Sequence, residues 1–194
     1  EDITGTDDIF DDDEINESAE AYEIDDVTIP KDGEDPIVLG EEEIAMELPE
    51  IIDDYEGVIT NDGTVIYGDD DDEANVAVQA TQDEYGDLIG VRSLVTINDA
   101  DADKSYEFKY DLKEEQRLIF AEDYYTEFPT EEDITDIDMT EIYVIDSNGN
   151  ILDTVDPAWA KDANEKAVST YYTIKGNTLV QTIEFDKDSA FPIV

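Results

Sequence analysis

The chain has no cysteine, no histidine, and ten lysines and arginines among its 194 residues. Without His or Cys it cannot form Ser-His or Cys-His triads, zinc sites of the His/Cys type, haem sites, iron–sulfur clusters or redox dithiols. So few basic residues exclude direct binding to a nucleic-acid backbone, because phosphate contacts need clustered Lys and Arg. The P-loop, G-x-G-x-x-G and G-x-S-x-G motifs are also missing. No apolar run approaches the ~18 residues of a membrane helix, so we expect no membrane insertion.

Acidic residues are abundant: 57 Asp and Glu give a formal net charge of -47. High net charge favours disorder unless apolar burial outweighs self-repulsion. Leu, Ile, Val and Phe together make up 25% of the chain, above the roughly 20% expected of disordered, charged chains. Residues 1–73 contain 30 acids and a single base, Lys31, whereas residues 74–194 contain 27 acids and nine bases. We therefore predict a folded chain whose acidity is concentrated towards its amino-terminal part.

The same distribution predicts two regions. Residues 1–24 contain 11 acids and no base, which is typical of a solvated, flexible leader. From Val27 onward, short apolar runs alternate with turn residues. We predict an acidic leader over residues 1–24 and a single β-rich domain over residues 25–194.

The β prediction depends on hairpins and alternating strands. Asn and Gly tolerate the backbone conformations of tight turns, and β-branched runs on both sides complete the hairpin pattern. Hairpins are predicted around residues 61–63, 147–150 and 175–177. Tyr106, Phe108, Tyr110 and Leu112 alternate with polar residues, as in a strand with one face in water. Val91, Ser93, Val95 and Ile97 form one face of another strand, and Arg92, Leu94 and Thr96 form the other.

Helical signals are few. Thr130 precedes three acids, as at a helix start, and is followed by Ile134 and Ile137. Asp156-Pro157 has proline where a helix begins. With about ten or eleven short strands, the sequence predicts a mainly β fold: an antiparallel β-sandwich or partly open barrel with one or two short helices.

The composition also bears on compartment. Ile exceeds Val, and Lys exceeds Arg, which favours an A/T-rich bacterium over a halophile. Zero cysteine suits export from a Gram-positive cell. The chain begins at Glu1 without a basic n-region and an apolar h-region, so we expect any signal peptide to have been cut off or left out. We predict a secreted or cell-surface protein; the sequence leaves its oligomeric state open.

Calcium is the best-motivated cofactor, because it accepts six to eight oxygen ligands. Asp99, Asp101 and Asp103 stand at alternate positions of a predicted loop, as in the first half of an EF-hand. However, Lys104 occupies the position of the expected Gly. A solvated acidic loop is the alternative interpretation, and it also applies to residues 68–73 and 146–150. Glycoside hydrolysis uses a pair of carboxylates. In a chain with 57 acids such pairs occur by chance, so they do not indicate a glycosidase.

Several segments carry a family resemblance: Gly63–Tyr67, Val76–Ala80, Gly90–Ile97, Tyr106–Phe108, Pro157–Asn164, Tyr171–Gln181 and Phe191–Val194. Over residues 57–194 the chain resembles a group of secreted, largely uncharacterised proteins of Gram-positive bacteria with W-A-K-D-A-N and G-N-T-L-V-Q signatures. Members often continue past a P-V-V-A-D-P-like ending into an apolar tail that looks like a bacteriocin-type peptide. The group tends to have Ala-Pro where this chain has Asp101–Lys104, so the resemblance does not carry the calcium loop. It implies no catalytic residue.

Together these observations predict a non-enzymatic, exported binding or carrier domain. Its expected partner is a cationic peptide or a cell-surface component, and the acidic body would shield a cationic or apolar carboxy-terminal peptide. The alternative is a calcium-stiffened cell-surface adhesion module.

Overall fold

Short antiparallel strands account for most of the ordered backbone. The computed structural model describes residues 20–40, 44–60, 64–69, 71–82, 85, 88–130 and 133–194. Within these ranges it contains fourteen strands, one α-helix and one 3-10 turn, Glu50–Ile52. The strands are β1 (Ala21–Ile24), β2 (Val27–Pro30), β3 (Ile37–Leu39), β4 (Ile44–Glu47), β5 (Val58–Ile59), β6 (Thr64–Tyr67), β7 (Ala74–Gln82), β8 (Leu88–Ile97), β9 (Ser105–Asp111), β10 (Arg117–Phe120), β11 (Ile142–Ile145), β12 (Ile151–Val155), β13 (Thr170–Lys175) and β14 (Thr178–Ile183).

The strands form three antiparallel sheets. The largest has seven strands in the order β1-β2-β3-β4-β9-β14-β13, the second has four in the order β5-β6-β7-β8, and the third has three in the order β10-β11-β12. The predicted mainly β class is confirmed, and because the sheets do not close into a barrel, the fold is of the sandwich kind. The central β9 pairs with β4 and β14, so the large sheet joins segments far apart in the sequence.

One apolar layer holds the three sheets together. Strand β9 contributes Tyr106, Phe108 and Tyr110, which are 1%, 5% and 6% exposed, and the same cluster includes Val76 of β7 and Ile142 of β11. The alternation predicted for β9 is confirmed, because the intervening Ser105, Glu107 and Asp111 are exposed. Period-two spacing therefore turns one face of this strand to the core and the other to water.

The predicted hairpins are also present. Strands β5 and β6 pair across residues 61–63, which lie outside the described residues. Strands β11 and β12 pair across residues 146–150, and β13 and β14 pair across Gly176, whose φ is 65°. These hairpins are decided locally, since a residue that accepts positive φ is sufficient to reverse the strand.

The helix predictions were wrong in their positions. The α-helix, α1 (Ala121–Glu127), follows β10 directly. No helix begins at Asp156-Pro157, and the described residues after Thr130 form turns at Thr135 and Asp136. Tyr124 and Tyr125 lie on α1 and contact Tyr143 of β11 edge to face, with ring centroids 5.3 and 6.3 Å from that of Tyr143.

The boundary of the predicted leader also differs from the structure. Ala21–Ile24, placed in the leader by the sequence, forms β1 and pairs with β2 at the edge of the large sheet. Residues 1–19 of the predicted leader lie outside the described residues. The ordered β structure therefore begins ahead of residue 25.

A buried hydrogen bond links the large sheet to the four-stranded sheet. The Tyr67 hydroxyl of β6 donates to the backbone carbonyl of Pro30 in β2. Tyr67 is 0% exposed, and burial raises the pKa of its hydroxyl. The bond is thus a polar contact inside an otherwise apolar layer.

We expect Tyr67→Phe to lower the free energy of unfolding by about 1–2 kcal/mol, because the buried Pro30 carbonyl loses its donor. Urea denaturation followed by circular dichroism measures the change. Tyr171→Phe is the matched control, since Tyr171 is 48% exposed and should lose almost nothing. Equal effects of the two substitutions would contradict the buried link.

One carboxylate lies on the inner side of the three-stranded sheet. Asp153 of β12 is opposite Val144, which is 0% exposed. Burial raises the pKa of the Asp153 carboxyl, against the opposing effect of a hydrogen bond from the Thr154 N–H at 2.8 Å. Burial and then the nearby Asp153 carboxylate raise the pKa of the Tyr110 hydroxyl. The ionised form of Asp153 therefore opposes folding.

We expect Asp153→Asn to be more stable than the parent at pH 7, by about 1 kcal/mol. The difference should shrink as pH falls through the raised native pKa towards the unfolded value near 3.9, because the native carboxyl then binds its proton. Denaturation at several pH values measures it. Asp111→Asn, at an exposed position of β9, controls for the loss of one negative charge. A stability gain that does not change with pH would contradict the destabilising effect of the ionised Asp153 carboxyl.

Candidate binding site at a strand edge

Strand β8 is the longest strand of the described residues, and it contains no Asp or Glu. Its sequence is LIGVRSLVTI, with Arg92 as its charged residue. The β-branched and apolar residues favour an extended strand, and the face predicted to contain Val95 and Ile97 does enter the core. The opposite face contains Arg92 and Leu94, of which Leu94 is 3% exposed.

One edge of β8 is open. Antiparallel pairing with β7 aligns Val76 with Val95 and Val78 with Ser93. The Asn98 N–H donates to the Glu73 carbonyl at 2.8 Å, and hydrogen-bonded pairs alternate along such a ladder. The backbone groups of Val91, Ser93 and Val95 therefore point away from β7. No strand pairing or bridge joins these three residues to another segment in the described part of the chain.

The carboxy-terminal residues occupy one end of that edge. Ile97 and Ile193 exchange two backbone hydrogen bonds, of 2.7 and 2.9 Å, as an antiparallel bridge. Val194 and Lys161 exchange two more on the other side, of 2.9 and 2.6 Å. Ile193 is 0% exposed. The pair Ile193-Val194 thus lies where the next strand of the sheet would lie; its backbone bridges β8 at Ile97, and Val194 belongs to the same buried cluster as Leu94.

A buried polar row crosses the outer face beside this edge. The Arg92 Nη2 donates to Gln79 Oε1 at 2.6 Å, and Gln79 Nε2 donates to Thr64 Oγ1 at 2.8 Å. The Arg92 Nε and the Ser93 Oγ are buried and find no hydrogen-bond partner within the described residues. Leaving such groups unpaired costs free energy. The two unpaired atoms lie on opposite faces of β8, because Arg92 and Ser93 are consecutive residues of the strand.

The far end of the edge is irregular. The register between β7 and β8 shifts at Thr81 and Gln82, and Gly90 has a φ of 156°. Ile89 is 67% exposed. A bulge bends a strand and interrupts regular pairing, so the regular part of the open edge runs from Val91 to Val95.

The sequence-predicted metal ligands lie in the loop between β8 and β9. Asp99, Asp101 and Asp103 are all exposed, and Asp99 Oδ1 accepts a hydrogen bond from the Asp101 N–H at 2.7 Å. Within the described ranges, no three or more acidic side chains are grouped in a way that would hold a metal ion. The three aspartates are brought onto one turn without being gathered around a common point.

The other two acidic loops make turns. In the hairpin between β11 and β12, Asp146 Oδ1 accepts from the N–H groups of Asn148 and Asn150 at 2.8 and 2.9 Å. Hydrogen bonds from the side chain and backbone of Asn150 hold the pKa of Asp146 below its usual value. After β6, Asp72 Oδ2 accepts from the Tyr55 hydroxyl at 2.8 Å and from the Asp69 N–H at 2.7 Å, and these bonds lower the pKa of Asp72.

Two shallow hollows complete the described surface features. A groove of about 600 Å³ lies between β10, α1 and β13, beside the ion pair of Arg117 and Glu127. A smaller hollow of about 340 Å³ lies beside Lys104 and Phe185. Trp159 is 43% exposed, and Lys161 lies 5.8 Å from the centroid of its ring.

In comparisons with known proteins, no family model, curated protein or solved structure matched the chain. The resemblance to secreted proteins of Gram-positive bacteria therefore stays a prediction. Of the helices in the described ranges, none has the length and apolar character needed to cross a membrane.

Sequence reasoning missed the open edge. The alternation of residues separated the two faces of β8, but such a pattern does not show which strands lie at the edge of a sheet.

The calcium hypothesis has a direct calorimetric test. If Asp99, Asp101 and Asp103 bind calcium, titration gives saturable heat at one site, and the melting temperature rises because the ligand binds the native state. Asp101→Asn should abolish both effects, whereas Asp111→Asn, which changes an exposed acid outside the loop, should leave them unchanged. A flat titration of the parent protein contradicts the hypothesis.

Proposed function

We propose that this protein is a non-enzymatic binding or carrier domain whose partner is a positively charged peptide. The observation that carries the proposal is the unbalanced acidity. If every one of the ten basic residues neutralised one of the 57 acids, 47 carboxylates would still lack a cation from their own chain. A surface of one sign attracts partners of the opposite sign over long distances.

Several of the chain's own cations are already paired within the protein. Each such pair has its nitrogen and oxygen within 4.0 Å, and all are at least partly exposed: Lys31–Glu56 at 3.5 Å, Lys109–Glu50 at 2.8 Å, Arg117–Glu127 at 2.6 Å and Lys175–Glu107 at 3.6 Å. Exposed pairs of this kind stabilise a fold little. The remaining carboxylates are the groups that a cationic partner would neutralise.

The proposal includes a place of action outside the cell, supported by the composition and by the resemblance to secreted proteins. In that setting the acidic body would keep a cationic or apolar peptide shielded until its release. The resemblance suggests that such a peptide is covalently attached in related proteins. Electrostatic attraction would speed association and set the sign of the partner.

We expect a lysine-rich peptide to bind the full chain and a glutamate-rich peptide of equal length to give no binding. Affinity for the lysine-rich peptide should fall roughly tenfold or more between about 0.05 and 0.5 M salt, because salt screens exposed charges. Fluorescence anisotropy with labelled peptides measures both. A lysine-rich peptide that does not bind at low salt, or binding of both peptides with equal affinity, would refute the proposed function.

A further inference from the structure

We propose that the open edge of β8 binds an extended, positively charged peptide as an added antiparallel strand. This inference rests on the proposed function, which specifies the charge of the partner but not where or how it binds. The site consists of the backbone of Val91, Ser93 and Val95, with Ile193 already paired at its end.

The unpaired backbone supplies the binding groups. Each of the three residues presents one N–H donor and one carbonyl acceptor to the open side. An extended peptide can exchange hydrogen bonds with all of them, and main-chain bonds are the source of affinity when a strand is added to a sheet.

The pair of Ile193 and Ile97 sets the direction and register of the added strand. The bridge is antiparallel, with bonds of 2.7 and 2.9 Å. A peptide that continues the same line meets Val95 next, then Ser93, then Val91, at steps of two residues. The peptide would therefore extend an interaction that the protein already makes.

The edge also lacks the protection that edge strands commonly have. Short length, charged residues, proline and bulges discourage unwanted pairing. The other strands that end the sheets, β1, β5, β10, β12 and β13, have two to six residues, whereas β8 has ten. β8 contains no proline, its one charged residue is Arg92, and its bulge lies at the far end, beyond Val91.

Charge selects the occupant. A second copy would bring another net charge of -47 against the first, and like charges at this scale oppose association. A cationic peptide is attracted instead. Opposite Arg92 the peptide should have a neutral acceptor, because a lysine there would face the guanidinium.

The first test compares two isomers of one probe, a synthetic peptide of about nine residues that alternates lysine and threonine. Each isomer carries N-methyl groups on alternate backbone amides, one set on odd positions and the other on even positions. Successive amides of a strand point to opposite sides, so only one isomer blocks the amides that face β8. We expect one isomer to lose affinity by about tenfold or more and the other to match the unmethylated peptide.

Equal binding of the two isomers would overturn strand addition while leaving the proposed function intact. Loss of binding by every lysine-containing peptide, the unmethylated one included, would refute both proposals. The charge and composition of the isomers are identical, so a difference between them cannot come from electrostatics.

The second test changes the edge of the full-length protein. Ser93→Pro removes an N–H that points away from β7, and proline is tolerated in edge strands at such positions. Ser93→Ala keeps the N–H and is the matched control. We expect Ser93→Pro to weaken binding of the unmethylated probe about tenfold or more and Ser93→Ala to leave it unchanged. If Ser93→Pro does not fold, the pair of methylated isomers still decides.

Hydrogen exchange and sedimentation test whether the open edge of β8 is covered by something other than the peptide. In the free protein, the amides of Val91, Ser93 and Val95 should exchange rapidly, and the probe should protect them. Protection in the free monomer would mean that the chain itself covers the edge. If sedimentation shows that the parent protein is a dimer and that Ser93→Pro dissociates it, a second copy of the chain covers the edge. Either result overturns the proposal.

Discussion

Burial of one continuous apolar layer between the seven-stranded sheet and the two smaller sheets is the interaction on which the rest of the structure depends. It must outweigh the mutual repulsion of 47 uncompensated negative charges, since burial contributes only about 25 cal/mol per Å² of apolar surface. A β-strand can bury apolar side chains and keep acidic ones in water, because successive side chains point to opposite faces. In β9, Tyr106, Phe108 and Tyr110 enter the layer while Glu107 and Asp111 remain exposed.

The same arrangement explains where polar groups interrupt the layer and where the sheets stay open. Tyr67 reaches across it to Pro30, and Asp153 faces inward beside Tyr110. Sheets that do not close leave edges, and the longest edge strand in the described part of the chain is β8. In the proposed binding mode, charge attraction would bring a peptide to the protein and strand pairing would orient it.

Predictions from the sequence succeeded where a few neighbouring residues decide the structure. The hairpins at residues 146–150 and around Gly176 follow from turn chemistry and flanking β-branched runs. Helix prediction failed, because the residues from Ala121 to Glu127 form a helix by packing Tyr124 and Tyr125 against Tyr143, a contact invisible in the local pattern. Asp99, Asp101 and Asp103 alternate like ligands, yet whether such residues converge depends on the path of the loop.

The sequence by itself determined the β class, the hairpins and the separation of apolar from acidic faces, because composition and period-two spacing act at every position regardless of context. Only the tertiary structure decided which strands are central and which form edges. That choice depends on contacts between distant residues, such as β9 with β4 and Ile97 with Ile193. The backbone of Val91, Ser93 and Val95 is open for the same reason: β7 pairs with one side of β8, and on the other side Ile193 covers only its end.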